Sequence, residues 1–224
     1  MRHRNILFDI KCSPISPSMI REKINSFEDS YNNAVKEIID SSKLLDIDGE
    51  VFVKCSTRIL KNFGMTRAGP FHTNLNETLL ECWEIIGDDL LDLNHSILNS
   101  NLLRDRYILE ISDQVREEIL AKIWRITKKL LPVTMGKSSY GLVGASKILF
   151  SVLPEIVLPV DNNQWLQVFK TVDLGDVLRF MVQDIQKWEN KTTRRFNELD
   201  DSKRLTTIPS VYNVMAMDAR PPSY

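Results

Sequence analysis

Between Leu75 and Ile97 the apolar residues Leu75, Leu79, Cys82, Trp83, Ile86, Leu90, Leu93 and Ile97 recur at steps of three and four. That spacing buries one side of an α-helix and cannot line one face of a strand. The opposite side carries Glu77, Glu81, Glu84, Asp88 and Asp92, which reads as a solvated face. Asn74, with Glu77 three residues on, predicts a capping box at the start of this helix. The same period returns elsewhere. Ile20, Ile24, Phe27, Tyr31, Ala34, Val35 and Ile38 predict a helix over about 17–41, with Pro17 at its first position. Val115, Ile119, Ile123, Ile126 and Leu130 predict another, capped by Ser112 or Asp113 and closed by Pro132. Val177, Phe180, Met181, Ile185 and Trp188 predict a last one over about 173–199.

Between these stripes the signals are shorter. Residues 140–153 read as an apolar helix stopped by Pro154, 155–160 as an extended link, and Asp161 or Asn162 as the cap of a helix to about Lys170. Residues 46–49 read as a turn, and Val51, Phe52 and Val53 fit either a short strand or a helix running to Phe63. The first dozen residues fit a short strand or an arm. Beyond Ser202 no period is visible. The expectation is an all-α, multi-helix globular bundle, with a single domain over 1–202 and a partly ordered tail over 203–224.

At 224 residues, 43% hydrophobic and 26% charged, the chain can bury one sizeable core. Its net charge of −1 creates no general field toward nucleic acid or anionic membranes. Residues 1–112 hold 13 basic and 17 acidic side chains, and 113–224 hold 16 and 13, so an anionic ligand is better placed near the second half. Cys12, Cys55 and Cys82 are odd in number and widely spaced, which suggests buried thiols in a reducing, cytoplasmic setting. No run approaches the roughly 18 apolar residues that span a bilayer, so no membrane association is expected. No His and Glu stand at helical spacing, so no metal is expected, and no cofactor motif such as GxxxxGK[ST], GxGxxG or GxSxG occurs.

The stretch with most chemistry runs Gly141-Leu142-Val143-Gly144-Ala145-Ser146-Lys147, then an apolar helix, then Pro154 to Asn162 through Pro159-Val160-Asp161. It resembles the core of helix-hairpin-helix DNA glycosylases over roughly 25 residues. The resemblance implies an all-α fold and a nucleic-acid partner. Gly141 and Gly144 would belong to a hairpin whose backbone amides hold phosphate. It also implies that Asp161 assists departure of the base and that Lys147 attacks the sugar. Read without the resemblance, the glycines permit close packing, Lys147 is a helix residue, and Asp161 is an N-cap.

Two further groups stand out. Arg67 and His72 lie in a loop over 64–73 punctuated by Gly64, Gly69 and Pro70. Arg67 could hold a phosphate or carboxylate and His72 could move a proton. Lys191, Arg194, Arg195, Lys203 and Arg204 form the densest basic cluster, either a phosphate-contacting edge or helix C-terminal charge. The alternative to a nucleic-acid domain is a non-catalytic interaction module, a homo-oligomer among the forms it could take. The aromatic and Met residues Trp165, Trp188, Tyr212, Met215 and Met217 suggest it. Whether the chain is an enzyme is left open by its residues.

Overall fold

A computed structural model of the chain describes residues 5–26, 47–100, 102–103, 106–136, 141–200 and 207–220. Its helices are α1 (Pro17–Ser26), α2 (Gly49–Asn62), α3 (Leu75–Leu98), the single turn α4 (Tyr107–Glu110), α5 (Asp113–Thr134), α6 (Leu142–Val152), α7 (Leu174–Thr192) and α8 (Ile208–Asp218). A π-helix covers Gln164–Phe169. No strand is assigned among the described residues, and an isolated antiparallel bridge joins Phe8 and Pro14. The fold is therefore all-α and multi-helical, as the periodicity predicts. No helix among the described residues is long and apolar enough to cross a membrane.

The amphipathic stripes face inward, except that Val115 in the first turn of α5 is exposed. In α3, Leu79, Cys82, Ile86, Leu90, Leu93 and Ile97 are buried. Glu77, Glu81, Glu84, Asp88 and Asp92 are exposed, with Asp92 paired to Lys122 of α5. Around this pair of helices α2 packs on α3 and α6, α5 packs on α3, α6 and α7, and α1 packs on α8.

The centre belongs to α6, whose residues are buried on nearly every side. A helix with no polar side has to be enclosed, and α2 and α5 enclose it. Ser56 of α2 and Ser151 of α6 satisfy each other inside this contact at 2.9 Å. The link over 155–160 follows as a buried strip, with Ile156, Val157, Leu158 and Val160 fully covered.

The N-terminal arm is held by a buried carboxylate. Asp184 of α7 accepts the Ile6 N–H at 3.0 Å and the Tyr212 hydroxyl at 2.8 Å, tying the arm, α7 and α8 together. The Trp188 indole N–H donates to the Ile15 carbonyl at 2.8 Å.

Several local expectations are corrected. The 17–41 helix is described only as Pro17–Ser26, and the rest of that span lies outside the described residues. Asp48 is a cap: its carboxylate accepts the Val51 N–H at 2.8 Å, and Val51 to Val53 are helical. Asn74 makes no side-chain cap bond, so the capping box predicted there is absent. Pro132 does not close its helix. It lies in the last turn of α5, which continues to Thr134 with the Met135 N–H on the Leu131 carbonyl. Of the three thiols, Cys55 and Cys82 are buried while Cys12 is exposed. Beyond Ser202, where no period was visible, Ile208–Asp218 form α8, buried on nearly all sides. A helix enclosed all round has no polar face to set a period.

Candidate functional site

The start of α6 is shaped by two glycines. Gly141 adopts φ +76, the left-handed region that glycine enters at least cost. Its carbonyl accepts the Thr134 hydroxyl at 2.9 Å, and a Cβ there would lie 2.7 Å from that oxygen and 3.0 Å from the Leu131 carbonyl oxygen. Gly144 faces the ring of Phe71, 2.9 Å from where its Cβ would sit. Both glycines therefore serve close packing of α6 against the end of α5 and the 64–73 segment.

Ser146 fixes what comes next. Its hydroxyl accepts the Val160 N–H at 3.1 Å, joining α6 to the end of the buried link. That contact sets the register at which Asp161 emerges, one residue later. Asp161 and Gln164 then form a reciprocal cap: Asp161 Oδ1 accepts the Gln164 N–H, and Gln164 Oε1 accepts the Asp161 N–H, both at 2.8 Å. The Gln164 amide also donates to Asn213 of α8 at 2.8 Å. Asp161 Oδ2 accepts from Arg220 at 2.8 Å, with side chains 29% and 34% exposed.

Lys147, one residue after Ser146, is 5% exposed. Its Nζ lies 4.3 Å from the centroid of the Phe63 ring, a cation–π contact at the C-terminal end of α2. It forms no ion pair with any described residue. Burial pushes its ammonium down to about 8, and the negative charge of Asp161 partly opposes this. Lys147 and Asp161 lie on adjoining segments, each next to a partner in the Ser146–Val160 contact.

The structure does not bring Arg67 and His72 into this site. Both are exposed. His72 lines a recess of about 540 Å³ with Lys61, Thr66, Asn76 and Glu77, and neither Arg67 nor Lys147 borders it. The segment touches α6 through Phe71, whose ring lies against Gly144, and the preceding Phe63 lies against Lys147. Arg194 is exposed just past the end of α7. Arg195 is engaged: it donates to Glu110 at 2.9 Å, within a web built on the buried Arg106, which grips Glu189 through two bonds. Lys203 and Arg204 lie outside the described residues. Trp165, Trp188, Tyr212 and Met215 are buried in the core.

Sequence reasoning missed Gln164, Phe63 and Arg220. The first had a signal, since Asp161 and Gln164 have capping-box spacing. The other two reach the site only through tertiary packing. No family model, curated protein or solved structure matches the chain.

Proposed function

We propose that the chain is a helical nucleic-acid-associated domain of base-excision type, with the Lys147 amine and the Asp161 carboxylate as its working groups. The observation that carries this reading is a buried lysine with no ion pair to any described carboxylate, close enough to feel the charge of a carboxylate at the start of the next helical segment. With its pKa near 8, about a tenth of the amine is neutral at pH 7, against about 0.03% for an ordinary lysine. Neutral amine is the nucleophilic form.

In this reading the Lys147 lone pair bonds to the sugar carbon and the glycosidic bond breaks. The electron pair leaves with the base, whose departure Asp161 assists, and the proton shed by the amine passes to the departing base. The exposed Arg194 and the partly engaged Arg195 supply positive charge for phosphate. Lys147 and Asp161 also occupy the positions that the resemblance to helix-hairpin-helix glycosylases assigns to nucleophile and assisting carboxylate.

The test is binding to duplexes carrying damaged or mismatched bases at about 50 mM salt, with release of free base measured alongside. Asp161→Asn is expected to keep affinity within a few-fold and to lose base release by about 100-fold or more. Absence of binding at that salt overturns the reading.

One observation favours the alternative of a self-associating interaction module. Ile10 is 98% exposed and Met19 51%, and both border a hollow of about 520 Å³ between the arm, α1 and α8. Under that reading the parent chain sediments as a dimer and Ile10→Asp as a monomer.

A further inference from the structure

Asp161 has two oxygens and both are committed. Oδ1 is held by the Gln164 N–H and Oδ2 by Arg220, each at 2.8 Å. Arg220 is itself oriented, because its Nε donates to the Met217 carbonyl at 3.0 Å at the end of α8. Lys147 is the competing cation. It feels the charge of Asp161 yet forms no ion pair with it, resting instead over the ring of Phe63. The negative charge of Asp161 favours the Lys147 ammonium against the cost of its burial, and the Phe63 ring at the end of α2 lies 4.3 Å from Nζ.

Two cations therefore compete for one carboxylate, and the arginine holds it. Its planar fork stays charged at any pH of interest and is less strongly hydrated than an ammonium, so it is the better partner for a half-buried carboxylate. Were Arg220 removed, Oδ2 would have a free lone pair, and Lys147, unpaired among the described residues, would be the cation left to take it.

We propose that Arg220 is a positioning residue: by holding Asp161 Oδ2 it keeps the carboxylate from pairing with Lys147, and so keeps that amine free to act. The functional consequence rests on the reading of Lys147 as the working amine, whereas the electrostatic claim concerns this chain alone. It also gives α8 a part in the site, since the end of that helix delivers the arginine.

The experiment is a titration of the full chain labelled with ¹⁵Nζ,¹³Cε-lysine, followed by NMR, with the Lys147 signal identified by its loss in Lys147→Met. Arg220→Gln is expected to raise the Lys147 midpoint by about one pH unit or more, as a new close carboxylate does. Arg220→Lys is expected to restore the parent midpoint to within about 0.3 of a pH unit, because it returns a competing cation. The double variant Arg220→Gln with Asp161→Asn separates electrostatics from loosening. Its midpoint falls to the parent value or below if Asp161 is the agent, and stays raised if the site has merely opened to water. An unchanged midpoint in Arg220→Gln, or a raised one in the double variant, overturns the proposal. If Arg220→Gln does not fold, Arg220→Met takes its place: a Lys147 midpoint above the parent's supports the proposal and an unchanged one refutes it. These outcomes do not depend on whether the chain releases bases, so failure here and failure of the functional reading are told apart.

Discussion

Gly141→Ala lowers the unfolding temperature by roughly 10 °C, the equivalent of about 3–4 kcal/mol in a chain of this size. Two costs combine. The left-handed backbone at φ +76 costs an alanine about 1–2 kcal/mol. The added methyl would also sit 2.7 Å from the Thr134 hydroxyl oxygen and 3.0 Å from both the Leu131 carbonyl oxygen and the Met135 nitrogen. Those last two are backbone atoms of the final turn of α5, which cannot step aside as a flexible side chain would. Forced overpacking of this kind costs a further 1–3 kcal/mol or so. Gly69 is the internal control. It has φ +80 and nothing within 4 Å of its Cβ position, so Gly69→Ala carries only the backbone cost of about 1–2 kcal/mol. Thermal unfolding of the two variants checks the argument, and equal losses would show that the contact between α5 and α6 is looser than described.

Lys147→Met stabilises the chain by about 2–3 kcal/mol at pH 7. The sign follows from where the proton sits. The unfolded chain holds its proton up to the ordinary value of 10.5, while the folded chain gives it up at about 8. Below 8 both states are protonated and folding bears the whole cost of burying the ammonium. Between 8 and 10.5 the unfolded state binds more protons, so parental stability rises with pH, and above 10.5 the cost is gone. The gain from Lys147→Met is therefore largest at and below neutral pH and shrinks toward zero as pH rises past 10. The lost contact with Phe63 subtracts about 1 kcal/mol. Urea unfolding of parent and variant at pH 7 and pH 10 measures it, and destabilisation at pH 7 would mean that the ammonium is well solvated. A lysine that costs the fold stability fits a residue kept for its chemistry, the usual trade at functional sites.

How much was legible beforehand depended on whether a segment shows water one face. α3 and α5 do, and their stripes predicted both helices and most of their buried residues, Val115 at the exposed start of α5 excepted. α8 does not: Ile208 to Ala216 are enclosed on all sides, so its sequence carries hydrophobicity without a period. Pro132 misled because a proline in the last turn removes only one bond, and the Thr134 hydroxyl on the Leu130 carbonyl steadies that turn. Local pattern also cannot choose between equivalent caps. Asn74 and Glu77 have the spacing and no cap bond, while Asp161 and Gln164 form the box in full.

The candidate site was legible in part for a similar reason. Lys147, Asp161 and both glycines lie within about two dozen residues and could be singled out together. Arg220 is 59 residues from Asp161, and Phe63 is farther still from Lys147 in sequence. Those partners hold the carboxylate and border the ammonium, and no local motif points to them.

The central claim is that Lys147 supplies a nucleophilic amine to a nucleic-acid sugar. It is tested most directly by incubating the chain with a duplex holding an abasic site and adding borohydride. The amine adds to the sugar aldehyde, water leaves, and hydride reduces the resulting imine to a stable C–N bond. The account predicts a cross-linked species that peptide mass spectrometry maps to Lys147 and that Lys147→Met abolishes. No cross-link, or one carried by a different lysine, would contradict it.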